Sequence, residues 1–356
     1  MSSILRGNKL SVSVYGQSHS KSIGAVIDGL PAGLEIDADR VRAFMSRRAP
    51  GQSFFATLRK EADAPTVLSG LVDGKTCGAP LAIKIDNTNT KSEDYEGLKL
   101  LPRPSHSDYA AYVKFGGNND IAGGGQFSGR LTAPLCFAGA DCMQLLEQKG
   151  ISVKSHIYSV KDVTDEPFDL ENLYDDDISL DPYFPVISRY KGEQMKTVIS
   201  TAMENSDSVG GVIECAVLGM PAGIGEPMFD GIENVISKNI FGIPAIKGIE
   251  FGSGFSGTLK YGSENNDAFC VNNGKIQTVT NNHGGILGGI TSGMPVVSRC
   301  AVKPTASIGI TQQSVNLQTK KEEDLTIKGR HDPCIVPRAI PAIEAVAAIT
   351  VLDLLL

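Results

Sequence analysis

Tryptophan is absent from this 356-residue sequence, and aromatic residues make up only 6% of it. That scarcity argues against a surface of stacking platforms for nucleic-acid bases. A basic balance is missing as well. The formal net charge is −7, so no nucleic-acid partner held by general electrostatics is expected. Any anionic ligand must be met by a local basic cluster. The seven cysteines are scattered, odd in number and never arranged as CxxC. This fits neither a disulfide framework nor a zinc ribbon, and reduced thiols in a cytoplasmic protein are expected. There is no HExxH, and the spacing of the histidines carries no metal-ligand pattern. The first residues lack the apolar stretch of a signal peptide. The apolar end, 345–356, falls short of the roughly 20 residues a membrane span needs; it reads as a buried helix, and no membrane partner is expected. No low-complexity linker divides the chain, so 1–356 reads as a single domain.

What the chain has in quantity is glycine, 39 residues, much of it in turns that also carry histidine. The stretch 102–133, PRPSHSDYAAYVKFGGNNDIAGGGQFSGRLTA, joins His106, three consecutive glycines, Arg130 and the start of an apolar helix. Glycine lets a backbone approach a ligand closely and reach positive φ. Helix N-termini offer N–H groups to anions, and histidine moves protons near neutral pH. Together these point to a site for a phosphate-bearing molecule that needs proton transfer. A surface loop feeding a core helix is the competing reading.

Hydrophobic patterning predicts strands at 9–15, 23–30, 66–71, 81–85, 151–157, 211–220 and 295–302. Helices are predicted from an Asp37 cap through Arg48, and at 131–149, 193–205 and 229–241. Antiparallel-looking meanders and glycine turns do not resolve into a doubly wound sheet. Gly252, Gly254 and Gly257 formally match GxGxxG, but 258–261 reads as a strand and no βαβ unit frames it, so the dinucleotide reading is rejected. The acidic segment 166–183 reads as a solvated surface excursion.

Four of the five histidines, His19, His106, His283 and His331, fall in glycine- or proline-flanked turns. Their company of Arg, Lys and Asp favours a shared site. Ser18 and His19 are adjacent in sequence, where side chains diverge, so they are not read as a nucleophile–base pair. Arg47, Arg48, Arg59, Lys60, Arg130, Lys303 and Arg330 flank turns, and as a set in an acidic chain they suit capture of phosphates and carboxylates.

Five stretches carry a family. They are GQSHSxxIGxVIDGLPAG, RRAPGQS with a following RKEAD, RPSHSDY, NNHGGILGGITSGMP with KPTxSI, and GRHDPCIVPRAIPxxEA. With these the chain resembles chorismate synthase from end to end. The resemblance implies an α+β fold, a β-α-β sandwich of antiparallel sheets around a helical layer, in one large domain with an internal pseudo-repeat. It implies a cytoplasmic homotetramer and a lyase that converts 5-enolpyruvylshikimate-3-phosphate to chorismate and phosphate by anti-1,4-elimination. Reduced FMN is the implied cofactor, with no net redox change. An external flavin reductase, drawing on NADPH, is expected to supply it.

The resemblance also assigns roles. His19 is implied as general acid toward the leaving phosphate, and His106 as manager of flavin protonation. Asp332 is implied in removal of the ring proton by way of the flavin. Arg47, Arg48, Arg59, Arg130 and Arg330 are implied for substrate. Gln126, Phe127, Ser128, Ala245, Gly288, Lys303, Pro304, Thr305, Ala306, Ser307 and Arg330 are implied for FMN. The chain departs from the family pattern near this site. Arginine gives way at Phe54, Asn119, Ala122 and Gln126, and the glutamate of GESHG gives way at Gln17. Two other readings stay open here: a non-catalytic flavin- or phosphate-binding relative, and a lyase for a less anionic enol ether.

Overall fold

Val12, Ile23, Ala25, Ile27, Leu81, Ile83 and Ile85 are each at most 1% exposed. Residues two apart along a strand share a face, so this alternation defines one buried sheet surface. The computed structural model describes residues 3–51, 63–88, 97–169, 180–327 and 332–356 of the chain. In it these strands form a five-stranded antiparallel sheet, in spatial order Ile4–Arg6, Ser11–Tyr15, Ser22–Asp28, Leu81–Asp86 and Pro65–Ser69. A second five-stranded antiparallel sheet runs Ile246–Phe251, Val296–Val302, Gly211–Leu218, Ser152–Val160 and Val163–Thr164.

The helices are α1 (Ala38–Arg48), α2 (Asp108–Phe115), α3 (Thr132–Gln148), α4 (Arg189–Glu204), α5 (Ile232–Ile240), α6 (Gly262–Asn265) and α7 (Val336–Leu355). The two longest, α3 and α7, pack along each other. Helix α3 also covers the strands Ser11–Tyr15 and Ser22–Asp28, while α7 covers Ser152–Val160 and Gly211–Leu218. The helical layer therefore lies between the two sheets, the α+β sandwich anticipated from the resemblance. A Cβ at Gly139 would fall 2.2 Å from Ala345 Cβ, so only glycine allows the two helix backbones this approach. Among the described residues no helix is long and apolar enough to cross a membrane.

Two local expectations are corrected, and one helix was not anticipated. The segment 258–261 is not a strand but part of a tight 3-10 turn, Gly254–Leu259, followed by α6. Ser256 Oγ and Thr258 Oγ1 donate to the carbonyls of Ser253 and Phe255, local bonds that compete with strand formation. Helix α2 is not announced by the sequence, because Val113 is exposed and no apolar period results. Helix α7 starts well before residue 345, since Pro337 in its first turn has no intrahelical N–H to lose.

Near the end of α7, Asp353 accepts hydrogen bonds from the backbone N–H groups of Asn8, Lys9 and Leu10 at 2.8, 2.7 and 2.7 Å, tying the two ends of the described chain together. Asp141 in α3 is the opposite case. It is fully buried, and neither carboxyl oxygen has a hydrogen-bond partner among the described residues. Burial pushes its carboxyl well above the usual carboxylate range. Such a group weighs least on stability below the unfolded carboxylate pKa, about 3.9, and its cost grows as pH rises toward the folded value. Asp141→Ala is therefore expected to stabilise the protein by about 1–2 kcal/mol at pH 7, the scale of an unsatisfied buried polar group. The gain should shrink toward pH 4. Urea unfolding at both pH values checks this, and a variant less stable than the parent at pH 7 rejects it.

Candidate active site

The site begins at the end of α1. Asp37 caps that helix by accepting from the backbone N–H groups of Asp39 and Arg40, which sets the register in which Arg47 and Arg48 emerge. Consecutive helical residues point about 100° apart, so the two arginines part company. Arg47 Nη1 donates to Glu344 Oε2 of α7 at 2.7 Å. Arg48 turns the other way. It pairs with Asp63 and donates to Thr132 Oγ1 and the Gly129 carbonyl, both at 3.1 Å.

Asp63 also accepts from Arg130, whose Nε donates to Asn87 Oδ1 at 3.0 Å. One buried carboxylate thus joins two buried guanidiniums. Burial opposes ionisation of Asp63, but the two arginines hold its carboxyl below the usual carboxylate range.

The glycine run forms the next wall. Gly123, Gly124 and Gly125 all have positive φ, at 61°, 85° and 53°. A Cβ at Gly123 would lie 2.4 Å from Ser18 Oγ and 2.7 Å from His19 Nε2. Gly124 faces the other histidine, its Cβ position 3.4 Å from His106 Nε2. The turn is thus a thin partition with a histidine on each side. Ser128 Oγ reaches Ser18 Oγ at 3.3 Å, closing the partition onto the start of α3.

His106 Nδ1 lies 2.6 Å from Asp108 Oδ1. Asp108 also accepts from Arg103 Nε at 2.7 Å and Nη2 at 2.8 Å. Burial opposes ionisation of Asp108, but hydrogen bonds from Arg103 and His106 hold its carboxyl far below the usual range. Arg103 Nη1 reaches Ser307 Oγ at 3.1 Å, and Lys303 Nζ donates to the Ser105 carbonyl at 2.9 Å. The 303–307 turn is thereby fastened to the histidine loop at both ends. Burial, and then the like charge of Lys247, hold Lys303 below its usual ammonium range. Ala245 accepts from the Lys303 backbone N–H at 3.0 Å while holding φ at 74°, an uncommon conformation for a residue with a Cβ.

These elements surround one cleft of about 710 Å³, within the size range of small-molecule and cofactor sites. Its described lining includes the cations Arg48, Arg103, Arg130, Lys247, Lys303 and Arg338 against the single carboxylate Asp332. Arg338 Nη1 donates to Asp332 Oδ2 at 2.8 Å. Phe127, Phe241, Ile243, Pro244, Ile246 and Ile335 supply an apolar side.

Of the residues expected from the sequence, His106, Asp332, Arg48, Arg130, Gln126, Phe127, Ser128, Ala245, Lys303, Pro304, Thr305, Ala306 and Ser307 all line this cleft. His19 stands behind Gly123 rather than in the lining. Arg47 does not line it, because its guanidinium is taken up by Glu344 between α1 and α7. Gly288 does not line it either. Its neighbour Gly289 accepts from the Ile232 N–H at the start of α5, whereas the cleft draws on the chain that follows the other end of that helix. Arg59, Arg330, His331 and Phe54 lie outside the described residues.

Arg103, Asp108, Lys247, Arg338 and Asp63 were not singled out from the sequence. All but Lys247 fall inside quoted motifs, which was the available signal. Gln17, Asn119 and Gln126, three positions that depart from the family pattern, line one hollow of about 120 Å³ with Phe115, Asn118, Asp120 and Phe127.

A family model for chorismate synthase matches residues 10–356. A chorismate synthase of Lancefieldella parvula is 42% identical, over 98% of this chain and 95% of that protein. A chorismate synthase of Thermococcus gammatolerans is 43% identical, over 99% of this chain and 97% of that protein. A solved chorismate synthase crystal structure is similar with a TM-score of 0.73 at 27% identity, covering 98% of this chain and 92% of that one. By sequence over nearly its whole length and by fold, the chain belongs to the chorismate synthase family.

Proposed function

We propose that this chain is a lyase that converts 5-enolpyruvylshikimate-3-phosphate to chorismate and inorganic phosphate. The observation that carries the reading is the gathering of six cationic side chains, a histidine and one carboxylate on one cleft of a chain whose net charge is −7. The substrate bears two carboxylates and a phosphate, and a cleft of this charge is complementary to it. Lys303, already disfavoured as an ammonium by burial and by Lys247, gains from an incoming anion.

The residues also fit a flavin mononucleotide. The cleft pairs an apolar side, including Phe127, Ile243 and Ile246, with a cationic turn at 303–307, as a planar ring system carrying a phosphate tail requires. When bound, reduced FMN supplies transient electron density to the breaking C–O bond. In our reading Ser128, Ala245 and the 303–307 turn hold the cofactor. Arg48 and Arg130 form the cationic wall for substrate, and His106 and Asp332 handle protons. His19 acts from behind Gly123.

Reduced flavin comes from a separate reductase, because the GxGxxG stretch leads into a four-residue helix and not into a βαβ unit. A single-domain reading is supported by one buried cluster that extends from Leu10 to Leu352. Self-association into a homotetramer is supported by an exposed apolar set, including Phe229, Phe255, Leu259, Tyr261 and Phe269. We assign the protein to the cytoplasm.

The test is an anaerobic assay with chemically reduced FMN and 5-enolpyruvylshikimate-3-phosphate, following chorismate absorbance and phosphate release together. Equal amounts of both products are expected. FMN retained with neither product formed would reject the lyase reading.

A further inference from the structure

The carboxylate of Asp108 is spent on a histidine and an arginine, and none of it lines the cleft. We infer that Asp108, clamped by Arg103, is the positioning residue that keeps His106 protonated on Nδ1 and presents Nε2 as its exchangeable nitrogen. This rests on the proposed proton-handling role of His106.

The chemistry follows from donor counting. Asp108 Oδ1 accepts from Arg103 Nη2 and lies 2.6 Å from His106 Nδ1. Its Oδ2 accepts from the Arg103 backbone N–H at 3.0 Å and from Arg103 Nε at 2.7 Å. An ionised carboxylate only accepts, so the short contact to Nδ1 requires a proton on that nitrogen. Nε2 then lies on the edge of the ring that faces Gly124.

The surroundings of the imidazole agree. Arg103 Nη2 approaches Nδ1 at 3.1 Å and has a second N–H, but a bare Nδ1 would set its lone pair against the Asp108 carboxylate at 2.6 Å, the shorter of the two contacts. The Ser107 hydroxyl, 3.4 Å from Nδ1, has the longest of these contacts. Lys303 Nζ donates to the Ser105 carbonyl, and His19 is on the far side of the glycine partition.

Because Arg103 also holds Ser307, the clamp reaches into the turn proposed to hold the cofactor phosphate.

The test is nitrogen NMR of the full-length chain with isotope-labelled histidine, with the His106 signal identified by its loss in His106→Gln. The unaltered protein at neutral pH is expected to carry its proton on Nδ1. Asp108→Asn, whose amide can donate to Nδ1, is expected to shift the population to the other tautomer. In the FMN-loaded enzyme it should lower kcat by about 100-fold, the lower end of what positioned proton transfer contributes. FMN affinity should be unchanged, and Asp108→Glu should restore the parent tautomer and kcat in part.

A proton found on Nε2 in the unaltered chain overturns the inference, and this measurement needs no variant to fold. An Asp108→Asn tautomer population and kcat like those of the parent also overturn it. Full turnover by His106→Gln would instead reject the proton-handling role and leave the tautomer assignment standing.

Discussion

Alanine at position 106 is expected to lower turnover by about two to four orders of magnitude, the range that positioned proton transfer contributes, while the protein stays folded. The fold should survive because His106 is a partly exposed loop residue, and Asp108 keeps both side-chain bonds to Arg103 without it. Substrate and FMN affinities should change little, since the cations that line the cleft are untouched. The decisive comparison is kcat against KM under anaerobic conditions, with the melting temperature as control. A deficit in kcat alone places the lost interaction in the transition state. Near-parental turnover in a folded protein would remove His106 from any proton-handling role.

The largest expected effect on stability lies at Asp63. Its side chain is unexposed, and those of Arg48 and Arg130 are only 4% exposed. Asp63→Asn removes the shared counter-charge and leaves two buried guanidiniums facing each other. Breaking a buried ion pair from one side costs about 3–5 kcal/mol, and that loss is expected in urea unfolding at pH 7. The pH dependence has a definite sign. Asp63 has a folded pKa below its unfolded value, so its contribution is present above about pH 3.9 and is lost as pH falls through the folded value. The gap between parent and variant should hold from neutral pH to about pH 4 and close below it. A variant within about 1 kcal/mol of the parent at pH 7 would sink the argument.

Much of this architecture was legible in the sequence because its signals are local. The Asp37 cap and the alternation at 23–27 and 81–85 each state their structure within a few residues. The glycine run was legible for the same reason, since three successive positive φ values suit no other residue. Family motifs supplied what periodicity lacks, namely that His106, Asp332 and Lys303 belong to one cleft although the first two lie more than two hundred positions apart.

What stayed hidden depends on side-chain direction. Arg103 and Asp108 flank His106 in RPSHSDY, yet spacing alone does not reveal that the aspartate accepts from both. Asp63 sits fifteen residues beyond Arg48, across chain outside the described residues, and its pairing with Arg130 is a tertiary event. The stretch 258–261 carries β-branched and aromatic residues that favour strands, but side-chain bonds to local carbonyls won.

The parting of Arg47 and Arg48 bears on which changes in chain length the protein tolerates. One arginine locks α1 to α7 through Glu344, and the next builds the cleft wall through Asp63. A single residue inserted or deleted within α1 would rotate its last turn by about 100°. Glu344 and Asp63 would then face the wrong neighbours. Substitutions along this helix leave that register intact, but its residue count is a quantised quantity.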